Sequence, residues 1–105
     1  MKRIDNNGIP DLYIADTFFK RLRGIFPKAT KTYDGVWIKP CNSVHTFALS
    51  DSINVYFIDN NNFVIKALIP MKMNRAAFCF GASSVIEVYS DRSSPIWKVG
   101  DKIDV

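Results

Sequence analysis

Ile53-Asn54-Val55-Tyr56-Phe57-Ile58, then Asp59-Asn60-Asn61-Asn62, then Phe63-Val64-Ile65-Lys66-Ala67-Leu68-Ile69 is the stretch that decides the fold class. Two runs rich in β-branched and aromatic side chains flank a short segment of Asp and Asn. Those two residue types accept left-handed backbone angles and bond to their own backbone, so they favour a tight reversal. The stretch therefore predicts a β-hairpin. Working outward, Leu12-Tyr13-Ile14-Ala15 and Val36-Trp37-Ile38-Lys39 read as short strands, the second bounded by Gly35 and Pro40. Val44 to Leu49 alternates, with His45, Phe47 and Leu49 on one face and Val44, Thr46 and Ala48 on the other. Val85-Ile86-Glu87-Val88-Tyr89 is a further strand, and Gly100-Asp101 turns the chain into a last one, Lys102 to Val105. Residues 70–84 read as a long connection. One helix is expected near the N-terminus. Asp16 or Thr17 can cap it, Phe18, Leu22 and Ile25 share its buried face, and Gly24 and Pro27 end it. Many short strands with a single helix predict a mainly β domain, a small sandwich or partly closed barrel, formed by residues 1–105 together.

Composition narrows the function classes. With 48% hydrophobic residues and eight Phe, the chain can bury a core and is not of disordered composition. No apolar run approaches the roughly 18 to 20 residues of a membrane-spanning helix, and the charged N-terminus has no apolar segment behind it. A cytoplasmic location with reduced Cys41 and Cys79 is expected, since small secreted domains usually carry several bridges. The net charge of +4 comes from residues 1–31, where seven Lys or Arg face three Asp, whereas residues 32–105 balance. The basic third, with Lys20, Arg21, Arg23, Lys28 and Lys31, reads as a solvated surface. No nucleic-acid-binding motif accompanies it, and no nucleic-acid or membrane partner is expected.

Three groups of residues carry chemistry worth weighing. Cys41 and His45 could form a thiolate–imidazolium pair, which makes a small thiol enzyme the alternative reading. The spacing is no signature for one, however, and Cys41 reads rather as a small buried hydrophobe beside Pro40. A zinc site would need four ligands, and one His with two unpaired Cys does not supply them, so no metal and no cofactor are expected. His45, Thr46 and Asn54, on strands expected to be neighbours, could line a polar pocket among Trp37, Phe47 and Tyr56, with Cys41 nearby. The same residues could form a network that fixes strand register. Glu87 is the one Glu of the chain and lies within an apolar strand. A buried carboxylate needs a partner, and Arg21 is the expected one, in a structural ion pair.

The landmarks Arg21-Leu22-Arg23-Gly24-Ile25, Pro40-Cys41-Asn42-Ser43-Val44-His45-Thr46-Phe47, Phe57-Ile58-Asp59, Ile86-Glu87-Val88 and Val99-Gly100-Asp101-Lys102-Ile103 occur here in that order. In them the chain resembles the family known as domain of unknown function 192, over about Ala15 to Ile103. The resemblance implies a mainly β, sandwich-like domain and no established activity. It also marks departures. The family usually carries Asp where Asn54 stands, Met where Leu49 stands, and Leu-Met where Ile25-Phe26 stands. An amide in place of the carboxylate removes a base, ligand or charge partner at that position. The function expected is therefore a non-catalytic binding or accessory module for a small ligand or a protein, with no catalytic residue assigned.

Overall fold

The computed structural model describes residues 10–15, 33–46, 52–72, 74–91, 95 and 97–103. Seven strands run through them: β1 Leu12–Ala15, β2 Gly35–Ile38, β3 Ser43–His45, β4 Ile53–Ile58, β5 Val64–Met71, β6 Ala76–Phe78 and β7 Ser84–Tyr89. Five form one sheet in the order β1-β2-β7-β4-β5, and β3 with β6 forms a separate two-stranded ribbon. β1 and β2 are parallel, and every other pairing is antiparallel. The mainly β expectation holds. The partly closed barrel is corrected: β1 and β5 stand at opposite edges of the larger sheet, and the ribbon does not join them. The expected helix falls on residues outside the described set.

Burial follows from this order. β2, β7 and β4 occupy the middle of the sheet, and all of their residues are buried. Their side chains alternate between two apolar layers. Val36, Ile38, Val55, Phe57, Val85 and Tyr89 form one layer, and Val44 of the ribbon packs into it. Trp37, Tyr56, Ile58, Ile86 and Val88 form the other, which Trp97 and Ile103 cover from the C-terminal segment. A strand covered on both faces needs apolar residues at every position, so a continuous run such as Ile53 to Ile58 suits it where strict alternation would not.

The hairpin predicted at residues 53–69 joins β4 to β5. Asp59 Oδ1 accepts the backbone N–H groups of Asn61 and Phe63, each at 2.9 Å. Asn62 takes the left-handed conformation the turn requires, with φ of 68°. β5 is an edge strand, and its register against β4 shifts twice, across Ile53/Val55 and across Phe57/Ile58. Pro70 stands at the first shift, between Leu68 and Met71, and such irregularities are where a strand tolerates proline. In the middle of the sheet, β2 and β7 meet very closely at Gly35. A Cβ there would lie 2.1 Å from the Glu87 carbonyl oxygen and 2.8 Å from Val88 Cα.

Three sequence expectations are revised. Residues 70–84 contain β6 as well as the end of β5. β3 ends at His45 within the described residues, and Phe47 and Leu49 lie outside them. The expected last strand contributes one bridge, Lys102 to Phe63, with residues 104–105 outside the described set.

Candidate functional site

The ribbon and its connections bring several of the singled-out residues to one side of the sheet. The peptide between Lys39 and Pro40 is cis, and the chain turns there out of β2. Cys41 follows, with its N–H donating to the Ser83 carbonyl at 3.0 Å. Its Sγ donates to the Ser43 carbonyl at 3.1 Å, and the side chain packs, half-buried, against the layer that holds Val55 and Phe57. Cys79 packs against the same layer. Within β3, Val44 points into the core while Ser43 and His45 are exposed. His45 pairs with Ala76 across the ribbon, and Ser43 with Phe78. Ser43, His45, Ala76 and Phe78 line a shallow apolar depression of about 400 Å³. Cys41 lines a different one, of about 260 Å³, with Pro40, Asn42 and Ser83.

Thr46 does not line either depression. It is wholly buried and holds the connection between β5 and β6. Its hydroxyl donates to the Lys72 carbonyl at 2.6 Å and accepts the Arg75 N–H at 2.9 Å. The Thr46 N–H in turn donates to the Arg75 carbonyl at 2.8 Å. Asn74 sits between, with φ of 55°. A threonine suits this place because one short side chain can satisfy a donor and an acceptor at once.

Asn54 lies elsewhere. β3 pairs with β6, so the expectation that His45, Thr46 and Asn54 sit on paired strands is corrected. Asn54 is opposite Val88 in β7, and the period of two along β4 puts it with Tyr56 and Ile58. That layer is on the far side of the sheet from the ribbon. Asn54 is buried there and does not share a surface with His45. Glu87 is also buried, on the ribbon side, between Val36 in β2 and Val55 in β4. Arg21, its expected partner, is outside the described residues.

A third cavity, a groove, is not legible in the sequence alone. It runs between β5 and β6 with a volume of about 520 Å³, and Lys66, Lys72 and Arg75 line it together with Leu68, Pro70 and Phe78. Lys66 Nζ reaches across it to donate to the Phe78 carbonyl at 3.4 Å. No acidic side chain occurs among its described lining residues. The signal available in sequence was the pattern Lys66, Lys72, Arg75 spread through an otherwise apolar stretch. It became readable only once β6 was known to fold back beside β5. Among the described residues, no group of three or more His, Cys, Asp or Glu gathers as a metal site would require. No helix of the described residues is long and apolar enough to cross a membrane.

No protein-family model matches the chain. Over 57 residues it is 40% identical to a UPF0127 protein of Thermococcus sibiricus, a match that takes in 50% of this chain and 37% of that protein. The chain thus spans a little over a third of the length of the curated relative it matches. Its fold is similar to a crystal structure of a protein of unknown function from Novosphingobium aromaticivorans, with a TM-score of 0.70 and 16% identity. That alignment covers 90% of this chain and 74% of the other. The chain is therefore similar to uncharacterised proteins, and the structural likeness is one of fold.

Proposed function

We propose that this protein is a one-domain, non-catalytic binding or accessory module of the cytoplasm, and that it belongs to the domain of unknown function 192. The sequence landmarks from Arg21 to Ile103 support the family. The chain's two cysteines, too few for the several bridges usual in small secreted domains, support a reducing compartment. The observation that carries the binding reading over the thiol-enzyme alternative is that Cys41 and His45 line different depressions. A nucleophilic thiol needs its base within hydrogen-bond reach, and Cys41 Sγ donates to the Ser43 carbonyl at 3.1 Å. His45 and Ser43, at the rim of an apolar floor made by Ala76 and Phe78, suit a small ligand with one polar group.

Alkylation kinetics separate the two classes. The module reading expects Cys41 to react slowly with iodoacetamide at neutral pH. Rapid, selective labelling at pH 6, abolished by His45→Ala, would establish the enzyme. Phenol, a neutral aromatic with one hydroxyl, is the probe for the depression itself. It should shift the His45 ring signals and the Ser43 and Ala76 amides in a saturable way, and His45→Ala should weaken it. We further propose that Arg21 pairs with Glu87 in a structural ion pair. Glu87→Ala should then destabilise by roughly 3 kcal/mol, and a double-mutant cycle with Arg21→Ala should show coupling between the two positions.

A further inference from the structure

We propose that the groove between β5 and β6, which adjoins the His45 depression along Ala76, Ala77 and Phe78, binds a small monocarboxylate with an apolar chain. The argument is one of complementarity. Three cationic side chains from two elements, Lys66 on β5 and Lys72 and Arg75 on the following connection, stand around a floor of Leu68, Pro70 and Phe78. Like charges with no carboxylate among the described lining residues repel one another, and an anion relieves that repulsion. Lys72 and Arg75 are exposed, so they remain hydrated and available when the groove is empty. An inorganic anion alone would leave the floor wet. Phe78 is 55% exposed and Leu68 half-buried, and covering them contributes only if the anion carries an apolar body. The volume of about 520 Å³ is that of a small-molecule site and lies within the usual range of roughly 300 to 1,000 Å³. Arg75 offers a planar fork that matches a carboxylate, and Lys66 keeps donors beyond the one it gives to Phe78.

The groove is also preformed. Thr46 fixes the backbone of both Lys72 and Arg75 through its hydroxyl and its N–H. The two cations are therefore carried on an anchored turn, which lowers the ordering cost of binding.

The test is a titration with decanoate, read by amide chemical shifts and calorimetry. Decanoate should saturate at one per chain and shift residues 66–78. Acetate, with the same head and no chain, and decyltrimethylammonium, with the same chain and opposite charge, should each bind at least about tenfold more weakly. Replacing all three cations, Lys66→Gln with Lys72→Gln and Arg75→Gln, should weaken decanoate about tenfold, as expected for several partly exposed charge contacts together. If that triple variant does not fold, the double variant of the exposed pair Lys72→Gln with Arg75→Gln should weaken it several-fold. Equal affinity for decyltrimethylammonium, or decanoate affinity unchanged in the folded variant, would overturn the proposal. So would displacement of decanoate by an octathymidylate that binds more tightly, which would make the groove a nucleic-acid surface. Decanoate binding that is insensitive to the cations but lost in His45→Ala would end this inference and leave the His45 reading standing.

Discussion

Gly35 shows how a single missing atom can hold two strands together. Its backbone lies so near Glu87 and Val88 that a methyl group would have to displace the main chain of β7. Overpacking against backbone cannot be relieved by a rotamer change, so Gly35→Ala should destabilise by at least about 1 to 3 kcal/mol in denaturant unfolding. Thr46 and Trp37 make the same point with polar atoms. Thr46→Val keeps shape but leaves the Arg75 N–H and the Lys72 carbonyl without the hydroxyl between them. The expected loss is about 1 to 3 kcal/mol, with faster amide exchange at Arg75 as the local signature. The Trp37 indole N–H donates to Ser84 Oγ at 3.0 Å inside the core. Ser84→Ala should cost a comparable amount for the same reason. By contrast, Phe80 is 91% exposed, and Phe80→Ser should leave stability within about 0.5 kcal/mol.

Among the elements, the β4–β5 hairpin was the most legible in sequence because its information is local. The turn residues are contiguous, and Asp59 does in the structure what an Asp at a tight reversal can do, accepting two backbone N–H groups. Asp59→Ala should lower stability by about 1 kcal/mol, measured by chemical denaturation. β6 was illegible for the opposite reason. Ala76-Ala77-Phe78 has no β-branched residue and no alternation, and it is a strand because β3 lies beside it. Tertiary pairing decided it, as it often does for short strands. The same absence hid the site. His45 lies on a strand, as its sequence pattern predicts, but Asn54 would lie near it only if consecutive strands paired. The chain instead sends β3 out to the ribbon and returns β4 to the sheet, which separates the two residues by the whole thickness of the sheet. The edge strand β5 carries two register shifts and Pro70, devices that discourage another chain from adding to it. Pro70→Thr should therefore raise the tendency to self-associate, visible by light scattering at high concentration.

For the molecule as a whole, strand order sets the kinetics. β2 and β4 are neighbours of β7 on either side, although β7 is the last of the described strands in chain order. Most of the larger sheet is thus built from contacts between distant residues. Such topologies fold in milliseconds to seconds at ordinary stability, because loop-closure entropy must be met before the pairings form. A stopped-flow chevron should place this protein in that range. Mutations in β7 should slow folding, and mutations in the β5–β6 connection should mainly speed unfolding.

The central place of β7 also has a meaning for the newborn protein. On the ribosome, residues 53–71 emerge as a hairpin whose apolar faces have no cover, and β2 emerges with one edge open. Both must wait until residues 84–89 have left the exit tunnel. The interval is one in which the nascent chain is a substrate for chaperones and proteases. Chains stalled at residue 83 should be cut readily by added protease, and chains stalled far enough beyond residue 103 to free the C-terminal segment should resist it. The arrival of β7 decides when the larger sheet can close around its centre.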